Sequence, residues 1–95
     1  MIEVTVRKDG IIMSGHANQA PHGKDIVCAG ATALMQTLIQ SIMSLTEDKI
    51  EYEISPGRVD IKYGDLSEKS RILVDSLFIG VSMIADEFPD YVRIM

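Results

Sequence analysis

The residues best suited to chemistry lie close together in the chain, between positions 16 and 28. Both histidines, His16 and His22, and the single cysteine, Cys28, fall in this stretch. A cysteine thiolate attacks carbonyl carbon, and a neighbouring imidazole can take up and return the proton. The stretch therefore predicts nucleophilic cysteine chemistry. His16 is the preferred base, because it follows a predicted strand, which holds a side chain more rigidly than the loop that carries His22.

The position of Cys28 in its helix is predicted from Asp25. Asp25 stands just ahead of an apolar pattern of helical period, where its carboxylate can cap the first turn. Cys28 would then lie in that first turn, where free amides and the helix dipole favour a thiolate and could stabilise an oxyanion. Asp25 could instead orient a histidine as a third catalytic member, but the cap uses the same oxygens and is preferred.

Two other interpretations of these residues stay open. A lone cysteine beside apolar neighbours is often a buried small hydrophobe, so the chain could be a non-enzymatic binding module with a packed, inert Cys28. His16, His22, Asp25 and Cys28 are also zinc-ligand types, although no Cys-x-x-Cys or His-x-x-x-His pair places two ligands on one element. The prediction is therefore no metal and no cofactor.

The elements that must position these side chains are predicted from hydrophobic spacing. Alternating apolar residues predict two hairpins and a final strand, and apolar residues at spacings of three and four predict two helices. The predicted segments are strands at 2–7 and 11–15, a loop at 17–24, a helix at 26–45, strands at 50–54 and 59–63, a helix from the Ser67 cap to Phe88, and a strand at 91–94. The order ββαββαβ predicts an α+β domain, a mostly antiparallel sheet with both helices on one face.

Composition narrows the class of protein. A chain of 95 residues fits a single domain, residues 1–95, and its net charge of −5 argues against direct nucleic-acid binding. No apolar run of about 18 residues and no signal peptide are evident, so no membrane contact and a cytoplasmic location are expected. One cysteine excludes an internal disulfide.

The same block of residues resembles a known family. Gly15-His16-Ala17, a loop containing Gly23, and Asp25-Ile26-Val27-Cys28-Ala29 followed by Thr32 are similar to the bacterial ribosomal-processing cysteine proteases, the Prp family. The resemblance covers nearly the whole chain. It implies a thiol protease with a catalytic His16–Cys28 dyad and a Thr32 hydroxyl that supports the site. It also implies a substrate-gating loop made of Ala17, Asn18, Gln19, Ala20, Pro21, His22, Gly23 and Lys24.

The resemblance also implies a substrate and an assembly state. Family members remove a short N-terminal extension from large ribosomal subunit protein twenty-seven during ribosome maturation, and they are homodimers. His22 is not part of the family pattern, so it is expected to be a surface residue of the loop. An extended substrate peptide is expected to pair at the ends of the strand at 12–16 and to order the loop above it.

Overall fold

Seven elements follow one another in the predicted order. The computed structural model describes residues 1–15 and 22–95, with side chains for all of these except 22–25. The elements are β1 (Ile2–Arg7), β2 (Gly10–Ser14), α1 (His22–Leu45), β3 (Ile50–Ser55), β4 (Arg58–Tyr63), α2 (Glu68–Glu87) and β5 (Val92–Ile94). This order confirms the predicted α+β fold.

The five strands form one sheet in the order β3-β4-β2-β1-β5. Neighbouring strands are antiparallel except β1 and β5, which are parallel. β2 lies between β4 and β1 and is paired along both sides. Residues 12–14 therefore offer no edge to a substrate peptide, whereas the expected pairing at the end of the 12–16 segment includes His16, which lies outside the described residues.

One face of the sheet is covered by the two helices, as predicted. Alternate side chains of β1, β2 and β4 point into this layer, among them Val4, Ile11 and Ile61, each 0% exposed. The helices meet them with Val27, Ala31, Met35, Leu38, Ile39 and Ile42 of α1 and Val74, Leu77 and Val81 of α2. The period of two in the strands and the period near 3.6 in the helices are therefore both satisfied by one core.

Helix α1 is unusually apolar for a surface helix. Its residues Ile26–Leu45 have a mean hydropathy of 1.5 and are, by length and composition, sufficient to cross a membrane. The expectation that no such segment exists is wrong. In the structure, six side chains of this segment are buried in the core, so α1 is the central helix of the folded domain.

Helix α2 begins where the sequence places it. The Ser67 side chain accepts a hydrogen bond from the Ser70 N–H at 3.5 Å, which satisfies a free amide of the first turn. Asp48, in the link between α1 and β3, accepts hydrogen bonds from the Ser67 N–H at 3.0 Å and the Ser67 hydroxyl at 2.6 Å. It also accepts one from the hydroxyl of Ser70, which is fully buried. These bonds tie the start of α2 to the end of α1.

Candidate active site

Helix α1 begins at His22, four residues earlier than predicted. Asp25 is therefore the fourth residue of the helix and not the residue ahead of it, so its predicted role as N-cap is wrong. Gly23 and Lys24 take helical backbone, although glycine is a weak helix former. The helix is stabilised mainly by the packing of apolar side chains further along α1. The helix propensity of the residues in its first turn has less influence on where it begins.

The earlier start moves Cys28 out of the first turn. Cys28 is the seventh residue of α1, beyond the four amides that a helix start leaves free. The dipole effect also falls off within the first turn. The predicted stabilisation of a thiolate and of an oxyanion by first-turn amides around Cys28 therefore does not apply to this helix.

The predicted gating loop does not extend through residue 24. His22, Gly23 and Lys24 belong to α1, so the prediction of a loop through residue 24 is wrong there. His16 and residues 17–21 lie outside the described residues. Pairing of His16 with Cys28 therefore stays a prediction.

Cys28 has a free thiol and is half-buried. It packs against the hydrophobic core, next to the buried Val27, while its partial exposure leaves the residue within reach of solvent. Thr32 lies one turn further along the same side of α1 and is also half-buried, in the position predicted for a supporting hydroxyl. A cysteine held by core contacts and open on one side suits a nucleophile that must meet a large substrate.

Gly15 has a backbone conformation and surroundings that require a glycine. Its φ of 153° lies outside the range that residues with side chains adopt readily, and a Cβ there would stand 2.6 Å from the Met1 carbonyl oxygen. Its N–H donates to the Gly57 carbonyl at 2.9 Å, just beyond the end of β2. Only glycine fits, so Gly15 sets the point from which the chain leaves the sheet before His16. Sequence reasoning noted Gly15 only as part of the motif; the signal is a glycine between a strand and a candidate base.

The described side chains form no metal site. Among residues 1–15 and 26–95, no three His, Cys, Asp or Glu side chains lie close enough together to hold a metal ion. The zinc alternative also needs His16 and His22, whose side chains are outside this set.

The comparisons with known proteins identify the same family over nearly the whole chain. A family model described as cysteine protease Prp matches residues 1–93. The ribosomal processing cysteine protease Prp of Staphylococcus aureus is 28% identical, over 98% of this chain and 94% of its own length. The Bacillus subtilis protein of the same name is 27% identical, over 99% of this chain and 96% of its own length.

The fold is shared with solved structures. The S. aureus ribosomal processing protease Prp, in complex with a substrate peptide, superposes with a TM-score of 0.87. That match is 24% identical in sequence and covers 99% of this chain and 95% of the solved chain. At that identity the match shows that the two chains have the same fold.

Proposed function

The chain belongs to the cysteine protease Prp family, and from this membership we propose that it cleaves the short N-terminal extension from large ribosomal subunit protein twenty-seven during ribosome maturation. As a family member it is a ribosomal processing cysteine protease. The observation that carries the proposal is the match of the family model to residues 1–93. The half-buried Cys28 on the central helix agrees with it.

The proposed mechanism uses a Cys28–His16 dyad. His16 takes the thiol proton, and the Cys28 sulfur attacks the scissile carbonyl carbon. The C–N bond then breaks as His16 returns the proton to the leaving amine, which leaves a thioester on Cys28. His16 next takes a proton from water, which attacks the thioester and releases the carboxylate product and the thiol. The step requires no metal and no cofactor.

Chain geometry supports a meeting of the two residues. His16 directly follows Gly15, and residues 16–21 join Gly15 to the start of α1 at His22. Gly15 and His22 are separated by seven Cα–Cα steps, which span at most about 25 Å, so the start of α1 lies within that distance of this end of β2. Cys28 lies six residues, about 9 Å, along α1 from its start, and its side chain leans back towards that start. The chain length between the two residues is therefore compatible with a His16–Cys28 contact.

We also propose that Ala17–Pro21 close over the bound peptide and that the protein is a cytoplasmic homodimer. Residues 26–45 of α1 carry no charged side chain, in a chain of net charge −5. The exposed Ala33 and Gln40 therefore offer a neutral surface on which two acidic copies avoid repulsion. Light scattering should report a dimer, and Ala33→Glu should shift it towards the monomer. A monomeric wild-type protein would contradict the assembly proposal.

A cleavage assay with the proposed substrate tests the protease function. Incubating the protein with extended ribosomal protein twenty-seven should yield a shortened product by mass spectrometry, and Cys28→Ala should yield none. Binding without shortening, together with a thiol that alkylates only in denaturant, would favour the non-enzymatic assembly module. Stoichiometric zinc in the purified protein would favour the metal-binding alternative.

A further inference from the structure

Strand β3 is a free edge of the sheet. It pairs with β4 on one side, through the register Ile50↔Tyr63 to Ser55↔Arg58. The other edge strand, β5, has three residues, whereas β3 has six. An edge strand of this length presents unpaired N–H and C=O groups that can pair with another extended chain.

The residues of β3 whose backbone faces outward follow from the hydrogen-bond alternation. The Tyr63 N–H donates to the Asp9 carbonyl at 3.0 Å, which is on the side away from β3. In an antiparallel ladder, hydrogen-bonded and non-hydrogen-bonded pairs alternate. Ile50, opposite Tyr63, is therefore in a non-hydrogen-bonded pair, and so are Tyr52 and Ile54. The N–H and C=O groups of these three residues point to the free edge.

The side chains of the same residues form an exposed apolar stripe. Tyr52 lies opposite Ile61, and Ile54 lies opposite Val59, so all four point to the helix-covered face. Ile61 and Val59 are 0% and 3% exposed, whereas Tyr52 and Ile54 are 45% and 48% exposed. The helix layer covers β4 and leaves the Tyr52 and Ile54 side chains open. The stripe is therefore a surface that an extra strand could cover.

The opposite face of β3 is acidic. Glu51 and Glu53 point away from the helices and are exposed. Glu53 lies directly opposite Asp60, a pairing of like charges, and the Asp60 Oδ1 atom is buried without a partner among the described residues. Two cations on β4 offset part of this charge: Arg58 donates to the Asp60 Oδ2 atom at 3.4 Å, and Lys62 lies opposite Glu51. The exposed Glu53 carboxylate could pair with a basic side chain on a strand added at the free edge.

The free edge leads to the nucleophile. Ile54 is next to the end of β3, at the turn whose Gly57 carbonyl accepts the Gly15 N–H at 2.9 Å. Gly15 is where the chain leaves the sheet towards α1, and α1 contacts both β3 and β4. Cys28 lies in the second turn of α1, the end of that helix that follows Gly15 in the chain, and the other end of α1 leads to the first residue of β3. A peptide lying along β3 past Ile54 is therefore proposed to run towards Cys28.

From these observations we propose that the free edge of β3 is the docking strand for the substrate. The inference rests on the proposed function and adds the chemistry of the substrate: an extended segment in which apolar and basic side chains alternate. Side chains directly opposite one another lie on the same face of a sheet. The apolar side chains would cover Tyr52 and Ile54, while the basic ones would pair with Glu51 and Glu53.

The first experiment measures peptide binding to the intact Cys28→Ala protein, which cannot turn the peptide over. The probe is a labelled ten-residue peptide of alternating Leu and Lys, and the control peptide has the same composition in two blocks. The alternating peptide should bind at least tenfold more tightly. Ile54→Thr should weaken its binding about tenfold, whereas Ile72→Thr, the same change at a residue of α2 that is 61% exposed, should not.

Two further arms test the backbone and the charge. N-methylation of the peptide at alternate positions should abolish binding in one set, Leu or Lys, and spare the other, because only one set bonds to β3. Loss in the Leu set would indicate an antiparallel peptide, and loss in the Lys set a parallel one. Glu51→Lys with Glu53→Lys should weaken binding and flatten its salt dependence. Equal sensitivity of both N-methylated sets would overturn the proposal.

The outcomes separate this inference from the proposed function. If the wild-type protein shortens the ribosomal protein and Ile54→Thr leaves both kcat/KM and peptide binding unchanged, the docking strand is wrong and the protease function stands. If no ribosomal protein is cleaved but the alternating peptide still binds through β3, the docking strand stands and the proposed substrate is wrong.

Discussion

The two helices begin in different ways. The start of α2 is closed by side chains: Ser67 caps it, and Asp48 holds Ser67 and the buried Ser70. The start of α1 at His22 leads within two turns to the half-buried Cys28, the proposed nucleophile. The two helix starts are therefore expected to have different roles, one in the stability of the fold and the other in catalysis. Changes at the start of α2 should alter the free energy of unfolding, and changes near the start of α1 should alter cleavage.

The largest expected effect is at Cys28. Cys28→Ala should lower the cleavage rate by roughly ten-thousand-fold or more, because no other side chain in the chain is a thiol. The melting temperature should change little, because the side chain is small and only half-buried. Single-turnover cleavage and thermal unfolding of the same protein sample check both halves. If Cys28→Ala lost its fold as well as its activity, the result would support a packing role for Cys28 and not a catalytic one.

The next effect separates the two histidines. His16→Ala should reduce cleavage by roughly a hundred-fold to ten-thousand-fold, because the general acid and base is lost. His22→Ala should keep most of the activity, since His22 is the first residue of α1 and has no place in the proposed dyad. Steady-state kcat/KM of the two variants gives the ranking. The reverse ranking would reassign the base to His22.

A smaller effect is expected at the start of α2. Ser70→Ala removes a fully buried hydroxyl that donates to Asp48, and should lower the free energy of unfolding by about 1–2 kcal/mol. Ser76→Ala, at an exposed position of the same helix, is the matched control and should be close to neutral. Urea unfolding measures the difference. A fall in kcat at full folding would show that the two helix starts are coupled.

The smallest effect is a pH dependence at the same place. Hydrogen bonds from the Ser67 and Ser70 side chains, then from the Ser67 backbone, lower the pKa of Asp48 below its usual 3.8. A carboxyl whose pKa is lower in the folded chain binds fewer protons there than in the unfolded chain. Its stabilisation is therefore complete above about pH 3.8 and is lost as the pH falls below that value. Asp48→Asn should flatten this part of the stability profile, and an unchanged profile would contradict the assignment.

The same comparison shows what the sequence could predict. Ser67 was predicted as a cap because it stands directly before an apolar helical pattern, and nothing near it competes for that role. Asp25 stands before an equally good pattern, but the helix continues upstream through Gly23. The capping residue and the apolar pattern that follows it are equally clear at Ser67 and at Asp25. The helix begins at the predicted cap only at Ser67, because tertiary packing extends α1 upstream of Asp25, and a single sequence does not show which cap will be used.

The order of elements was predictable and the order of strands was not. Alternation identifies a strand and its inward face, as it does at Ile11 and Met13, both buried. It does not show which strands lie at the edges. Because β2 is central, residues 12–14 offer no edge to a peptide. The exposed stripe at Tyr52 and Ile54 on β3 is likewise visible only in the assembled sheet. Within the candidate site, the residue type alone identifies Cys28. The turn of α1 in which Cys28 lies cannot be predicted without knowing where the helix begins.

The parallel pairing of β5 with β1 has a consequence for how the protein folds. Glu3 and Arg93 form an ion pair at 2.6 Å across a sequence separation of 90 residues, and Val92 is 2% exposed beside them. Contacts so distant in sequence carry the largest chain-closure entropy, whereas each hairpin closes a short loop. We expect the hairpins and helices to form first and the β1–β5 ladder to close last. A chain still emerging from the ribosome would therefore lack one edge of its sheet until residues 92–94 are free to pair.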